Sequence, residues 1–244
     1  MNHSHNYPEI NMINNQVISM TWKRTDYEPL TQTIHSLSHD IRNKLSEKLT
    51  DIVPCYNSIT IFFKGSFNAA DVNVLNDISK DIHLEGNPTK NCLKIPVCFE
   101  DIYAPDMPYM SKFLKMEIED IVEEFCSKTY TVAFLGFLPG FPYLNGLSQK
   151  LVVPRKSTPS KSVSPGAVGI AGKQAGIYPQ KSPGGWNIIG NCPITLFDPA
   201  NAPYALFQPG DQVKFFRVDQ SEYEETASEN TDLFNRRKIL LQHV

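Results

Sequence analysis

The chain has 244 residues, of which 41% are hydrophobic and 20% charged, and a formal net charge of -3. This is soluble globular material with room for two modest cores, and it gives no bulk reason to expect nucleic acid or an acidic membrane as partner. The opening MNHSHNYPEI lacks the basic and apolar runs of a leader, and every later apolar stretch is cut by Gly, Pro or charge, so a cytoplasmic protein is expected. Five cysteines (Cys55, Cys92, Cys98, Cys126, Cys192) form no CxxC pair, which argues against a disulfide framework or a zinc ribbon and for reduced thiols.

Residues 1–15 read as a flexible leading segment. Residues 16–100 then read as β-α-β-β-α-β. Alternation predicts a strand from Gln16 to Trp22, and Leu30, Ile34, Leu37, Ile41 and Leu45 recur at helical spacing, with Asp26 as cap and Pro29 in the first turn. Strands follow around Asp51 to Cys55 and Ser58 to Lys64, with Asn57 between them, then a helix from Ala69 to Ile82 and a strand from Leu93 to Phe99. That order is the ferredoxin-like split βαβ pattern of an α+β domain.

Residues 101–218 have a different texture. Pro105 and Pro108 precede a short helix ending near Leu114, and Glu117 to Phe125 form a second with Ile118, Ile121, Val122 and Phe125 inward. After Tyr130 no helical period survives. Ten of the thirteen glycines fall between Gly136 and Gly190, separating short apolar runs such as Thr131 to Leu135, Ala167 to Ala171 and Ile194 to Phe197. Short strands with closely spaced turns predict a small all-β barrel or sandwich, ending in a strand from Gln212 to Val218 entered through Pro209-Gly210-Asp211. Residues 219–244, acidic and then basic at Arg236-Arg237-Lys238, read as a mobile or partner-docked tail.

The stretch from Gly136 to Phe197 is the candidate working surface. Between Thr131 and Phe197 there is no Asp or Glu, while Lys150, Arg155, Lys156, Lys161, Lys173 and Lys181 are present. The resulting positive field suits carboxylate or phosphate, although lysines on a loop-rich barrel also serve solubility. Loop backbone at Gly136, Pro139, Gly140, Phe141, Pro142 and Gly172 can approach a ligand closely. All six histidines (His3, His5, His35, His39, His83, His243) lie outside residues 84–242, so a Ser-His or Cys-His nucleophile within the second domain is excluded. His35 and His39 are four apart on a helix but suggest no third ligand, and no metal site is expected. Gly166 to Lys173 misses the phosphate-loop spacing, which removes nucleotide binding there. Asp198 and Asp211 sit in turn contexts and read as caps before general bases.

The polar groups left are Arg155, Lys156, Gln174, Tyr178, Ser182 and Asn191, beside the backbone of Gly184 and Gly185. Arg155 leads, because its planar fork holds a carboxylate through two parallel hydrogen bonds. Gln174 can pair with an amide, and Trp186 can wall a pocket or join a core.

The run from Phe134 to Leu144, with Pro154-Arg155, Val168 to Gly172, Gln174, Gly176 to Pro179, Ser182 to Trp186, Ile189-Gly190, Leu196 to Pro199 and Pro209 to Asp211, closely resembles the KipI family. That family is also known as the B subunit of 5-oxoprolinase (PxpB) or allophanate hydrolase subunit 1. The resemblance covers residues 16–218 and implies a cyclophilin-like β-barrel related to the carboxyltransferase region of urea carboxylases. It also implies a chain inactive alone, acting with a C subunit (allophanate hydrolase subunit 2-like) and an A subunit to couple ATP hydrolysis, with Mg, to opening of 5-oxoproline into glutamate. On this reading the chain binds the small anionic amide and no cofactor of its own. Two alternatives are implied by the same resemblance: inhibition of a sensor histidine kinase, as by the family's name-bearer, and allophanate or urea chemistry. Phe125, Ser160, Ala167, Ala175, Asn191 and Cys192 depart from the family pattern.

Overall fold

The computed structural model describes residues 7–23, 27–80, 92–229 and 232–242. The chain divides into two compact units, 1–88 and 89–244. The expected cap Asp26, the helix end at Ile82, and His3, His5, His83 and His243 lie outside the described residues.

In the first unit, β1 (Glu9–Met12), β2 (Val17–Thr21), β3 (Leu49–Pro54) and β4 (Ser58–Phe63) form an antiparallel sheet ordered β1-β2-β4-β3. Helices α1 (Tyr27–Leu45) and α2 (Ala69–Lys80) supply the apolar side that covers it. Ile18, Met20, Ile59 and Ile61 from the strands meet Ile34, Leu37, Ile41 and Leu75 from the helices, all at 2% exposure or less. Each such side chain contributes about 1.5–3 kcal/mol on burial, against the entropy of ordering it.

Two expectations change here. Residues 9–12 are not a flexible lead but an edge strand, turned back onto β2 through Asn14, whose Oδ1 accepts from Gln16 N (2.8 Å) while Ile13 N donates to Val17 O (2.9 Å). The strand expected to complete a ferredoxin-like βαββαβ sheet, β5 (Cys92–Cys98), is absent from it, and β1 occupies the edge beside β2. Instead β5 pairs in parallel with β13 (Gln212–Val218), residue for residue from Cys92↔Gln212 to Cys98↔Val218. The boundary expected at residue 100 therefore falls before β5.

The second unit is a closed seven-stranded barrel. Its strands are β5, β6 (Thr129–Leu135), β7 (Pro142–Asn145), β9 (Ala167–Ala171), β10 (Gln174–Ile177), β12 (Asn187–Asn191) and β13, in the cyclic order β12-β9-β10-β7-β6-β13-β5, closed where Asn191 pairs with Cys98. Alternation sends Val168, Ile170, Ala175, Ile177, Val132, Leu144 and Val213 inward, each with no exposure. Helices α3 (Met107–Leu114) and α4 (Ile118–Ser127) add Met107, Met110, Ile121 and Phe125 to the same core. Phe125 stacks on Phe215 at 4.8 Å and tilts against Tyr130 at 5.2 Å, which explains an aromatic at this departing position. A small ribbon, β8 (Ser160–Val163) with β11 (Ser182–Gly184), lies apart from the barrel sheet. The apolar run from Ile194 to Phe197 forms no strand beyond a single bridge from Phe197 to Ala205.

Residues 219–229 and 232–242 are not a loose tail. Helix α5 (Gln220–Ser228) starts with a capping box between Asp219 and Glu222, and its Tyr223 hydroxyl donates to Asn191 Oδ1 (2.9 Å). Helix α6 (Leu233–Leu240) buries Leu233 and Leu240 in the barrel core, and β14 (Leu241–Gln242) adds to β5. Arg237 forks onto Asp211 at 2.6 and 2.7 Å and also donates to Leu206 O (2.6 Å), a buried bidentate pair.

Candidate functional site

The outer faces of β9 and β10 carry small residues, and a second layer of aromatics lies on them. Phe141, Tyr178 and Trp186 pack with Val163, Ala167, Ala171 and Ile188 as a cluster separate from the barrel interior. The rings meet edge to face: Phe141–Tyr178 at 5.2 Å, Phe141–Trp186 at 5.4 Å and Tyr143–Trp186 at 5.8 Å. Gly184 is glycine because a Cβ there would strike the Tyr178 hydroxyl. Gly140 combines φ +82° with close approach to Phe197, so neither requirement suits another residue. Ala167, where the family pattern has a hydroxyl residue, lies 2% exposed in this layer, and Ala175 is fully buried in the barrel interior.

Arg155 stands on this layer. Its guanidinium carbon is 5.9 Å from the Trp186 ring centroid, and the side chain is exposed. The backbone on either side is pinned. Asn187 Nδ2 donates to Pro154 O (2.9 Å), and Lys156 N donates to Gly185 O (2.8 Å). Burial pushes the Tyr178 hydroxyl pKa up, partly offset by a hydrogen bond from the Trp186 backbone and by the Arg155 charge. Tyr178 is thus a neutral phenol at physiological pH.

The polar candidates divide. Lys156 is not available to an anion: its Nζ donates to Asp106 at 2.7 and 2.8 Å and to Ser160 Oγ at 3.0 Å. Asp106 in turn accepts from Ile188 N (2.7 Å) and ties the start of α3 to β12. Ser160 is thereby explained as a lysine acceptor. Lys150 is likewise taken by Glu124 (3.3 Å), whose carboxyl is held down at about 2 by hydrogen bonds from Ser148 and Lys128, with Lys150 adding to them. The stretch is free of acid in sequence but not in space. Arg155, Lys161, Lys173 and Lys181 are the cations exposed there without an ion pair among the described residues.

Ser182 is buried at 9% exposure, and its Oγ has no hydrogen-bond partner among the described residues. Such an atom costs on the order of 1–3 kcal/mol unless something binds it. Asn191 does not join the group. It sits at the far end of β12, about 13 Å along the strand from Asn187 at ~3.3 Å per residue, holding Pro165 O (2.9 Å) and Tyr223. Its neighbour Cys192 is a buried thiol pushed up to about 12. Gln174 and Gly172 lie at the β9–β10 turn, where Gly172 N donates to Val153 O (2.6 Å). Gly136, Pro139 and Pro142 frame the loop into β7, closed by Gly136 N to Phe141 O (3.1 Å).

Three further residues belong to this region without a place among the sequence candidates. Asp106 lies outside the acid-free stretch, though Pro-Asp-Met-Pro is a readable helix start. Asn187, fully buried with Oδ1 unpartnered, is marked in the sequence only by being polar inside an apolar run. Phe137 has φ +66° and is 60% exposed, and no local sequence signal announces a bulky residue in the left-handed region. Among the described residues, no three His, Cys, Asp or Glu side chains gather as metal ligands would, and no helix is long and apolar enough to cross a membrane.

Residues 8–207 match the carboxyltransferase domain, subdomain C and D. The chain belongs to that family. It is 32% identical over 212 residues to the 5-oxoprolinase B subunit of Bacillus subtilis, covering 80% of this chain and 87% of the relative. It is 34% identical over 180 residues to the 5-oxoprolinase B subunit of Escherichia coli O157:H7, covering 70% and 82%. The urea carboxylase of Kluyveromyces lactis shares the fold, with a TM-score of 0.75 at 20% identity over 96% of this chain and 24% of that one.

Proposed function

We propose that this chain is the B subunit of an ATP-dependent 5-oxoprolinase, a non-autonomous part of a complex with companion A and C subunits that opens 5-oxo-L-proline to L-glutamate. The observation that carries this reading is its 32% identity over most of its length to a protein of that name. The outer layer supports it. Arg155 suits the ring carboxylate, and the Trp186 and Tyr178 rings suit the flat lactam. Coupling to ATP hydrolysis supplies the activation that an unreactive lactam carbonyl needs.

Among the described residues no general base accompanies these groups: Asp106 is committed to Lys156, and Tyr178 stays protonated. The chain's part is to bind and orient, and proton transfer falls to a companion chain.

The test is co-expression with the A and C subunits and an ATPase assay with and without 5-oxoproline. The isolated chain is expected to be inactive. Arg155→Ala in the complex is expected to lower 5-oxoproline-dependent ATP hydrolysis by on the order of 10- to 100-fold while the three chains still co-purify. Absence of stimulation by 5-oxoproline in the wild-type complex overturns the reading. Because the fold is shared with a urea carboxylase, allophanate and urea belong in the same substrate panel, and preference for either redirects the assignment.

A further inference from the structure

The loop from Gly136 to Phe141 buries one phenylalanine, Phe141, and presents the other outward. Phe137 is 60% exposed and holds φ +66°, a conformation that a bulky L-residue adopts only under constraint. The loop is not slack. Leu138 N donates to Gly136 O (2.8 Å), Phe141 N to Leu138 O (3.0 Å) and Gly136 N to Phe141 O (3.1 Å). The Phe137 ring rests edge-on against Phe141 (5.5 Å) and Tyr178 (6.2 Å), which continue through Trp186 to Arg155. On the other side Gly140 packs against Phe197, whose loop carries Tyr204, 57% exposed. An apolar rim thus leads to the exposed Arg155, and Arg155, Lys161, Lys173 and Lys181, exposed in the same stretch of chain, form no ion pair among the described residues.

We propose that this rim, with Phe137 as its anchor, is the docking face for a partner protein chain that presents carboxylates to Arg155 and the neighbouring lysines. The proposal rests on the reading of this chain as one member of a complex, and adds where the partner sits. Two observations select an acidic protein over other occupants. The unanswered charge is of one sign, which favours a partner of the other and disfavours a second copy presenting the same face. The carboxylate on the rim's own second loop, Asp198, is turned onto Ala200 N (2.8 Å) and Asn201 Nδ2 (2.9 Å) within its turn, so it leaves that charge to be answered from a partner. An exposed, rigid aromatic beside an arginine is the usual composition of an interface anchor.

Phe137→Gly separates docking from folding, because glycine accepts the left-handed backbone that phenylalanine must be held in. The full chain and this variant are each titrated with co-expressed, purified A and C subunits, and their melting temperatures are recorded. The variant is expected to melt within a few degrees of wild type or higher, and to bind the partner at least about 10-fold more weakly. Wild-type affinity is expected to fall at least about 10-fold between about 50 and about 500 mM salt. Tyr109→Ser, on the exposed pair Tyr109–Phe113 of α3 outside the rim, is expected to change neither quantity. Wild-type affinity retained by Phe137→Gly, or affinity independent of salt, overturns the docking face while leaving the chain's place in the complex standing. Self-association abolished by Phe137→Gly with binding of the companions intact also overturns it, in favour of a second copy. Failure of the wild-type chain to bind either companion overturns both readings together.

Discussion

Strands β9 and β10 have two faces with opposite characters. Their inner side chains, Val168, Ile170, Ala175 and Ile177, are aliphatic, fully buried and without polar demands. Their outer side, small at Ala167, Gly169, Ala171 and Gly176, carries a layer of rings with one exposed guanidinium over Trp186 and one phenylalanine, Phe137, in the left-handed region. The inner face is packed for stability and the outer face is the one proposed for recognition, and a single pair of strands serves both because its side chains alternate.

The difference is most easily broken from the inside. Phe125→Ala removes a fully buried ring that meets Phe99, Tyr130 and Phe215 and is expected to cost about 4 kcal/mol in urea unfolding; a loss under about 1 kcal/mol would mean that the interior is not the stability-determining face. Next is the pair at the C-terminal helix. Arg237→Met strands the Asp211 carboxylate, 5% exposed, at a cost of about 3 kcal/mol. Adding Asp211→Leu should restore much of it, measured as a double-mutant cycle.

A smaller effect is set by pH. Glu124 has its folded pKa lowered to about 2, so its stabilising contribution is present above the unfolded value near ~4.3 and is lost as pH falls from about 5 toward about 2. Urea midpoints between pH 7 and pH 3 should fall less steeply in Glu124→Gln than in wild type, and parallel curves would contradict this. The smallest expected change sharpens the outer face. Ser182→Ala should leave stability within about 0.5 kcal/mol or raise it, since the hydroxyl has no partner to lose, while raising the KM for 5-oxoproline in the complex. A clear loss of stability with unchanged KM would make Ser182 a structural residue.

Most elements are legible in the chain because their signals are local. Alternation marks β2, β4 and β13, and helical spacing marks α1 and α4. Which strand meets which is not local. Cys92-Leu-Lys-Ile-Pro-Val-Cys98 is a good strand for either sheet, and only its pairing with 212–218 decides. The same limit applies to charge. The stretch from Thr131 to Phe197 has no acid in it, yet Asp106 and Glu124 reach Lys156 and Lys150 from the helices before it. The C-terminal residues carry the charge density of a solvated tail, but Arg237 is charged in order to pair inside, a distinction that composition does not hold. Arg155 and Trp186 do come together, and the rings between Trp186 and Phe137 follow from the turns around them.

The parallel pairing of β5 with β13 has a consequence for how the chain is made. During synthesis the four strands and two helices of the first unit are all available once residue 80 has emerged, and can assemble while translation continues. Strand β5 emerges soon after but finds its parallel partner only when residues 212–218 appear. Until then an apolar strand waits with its ladder unmade, and ribosomes stalled before residue 212 would hold a chain with one finished half and one exposed edge.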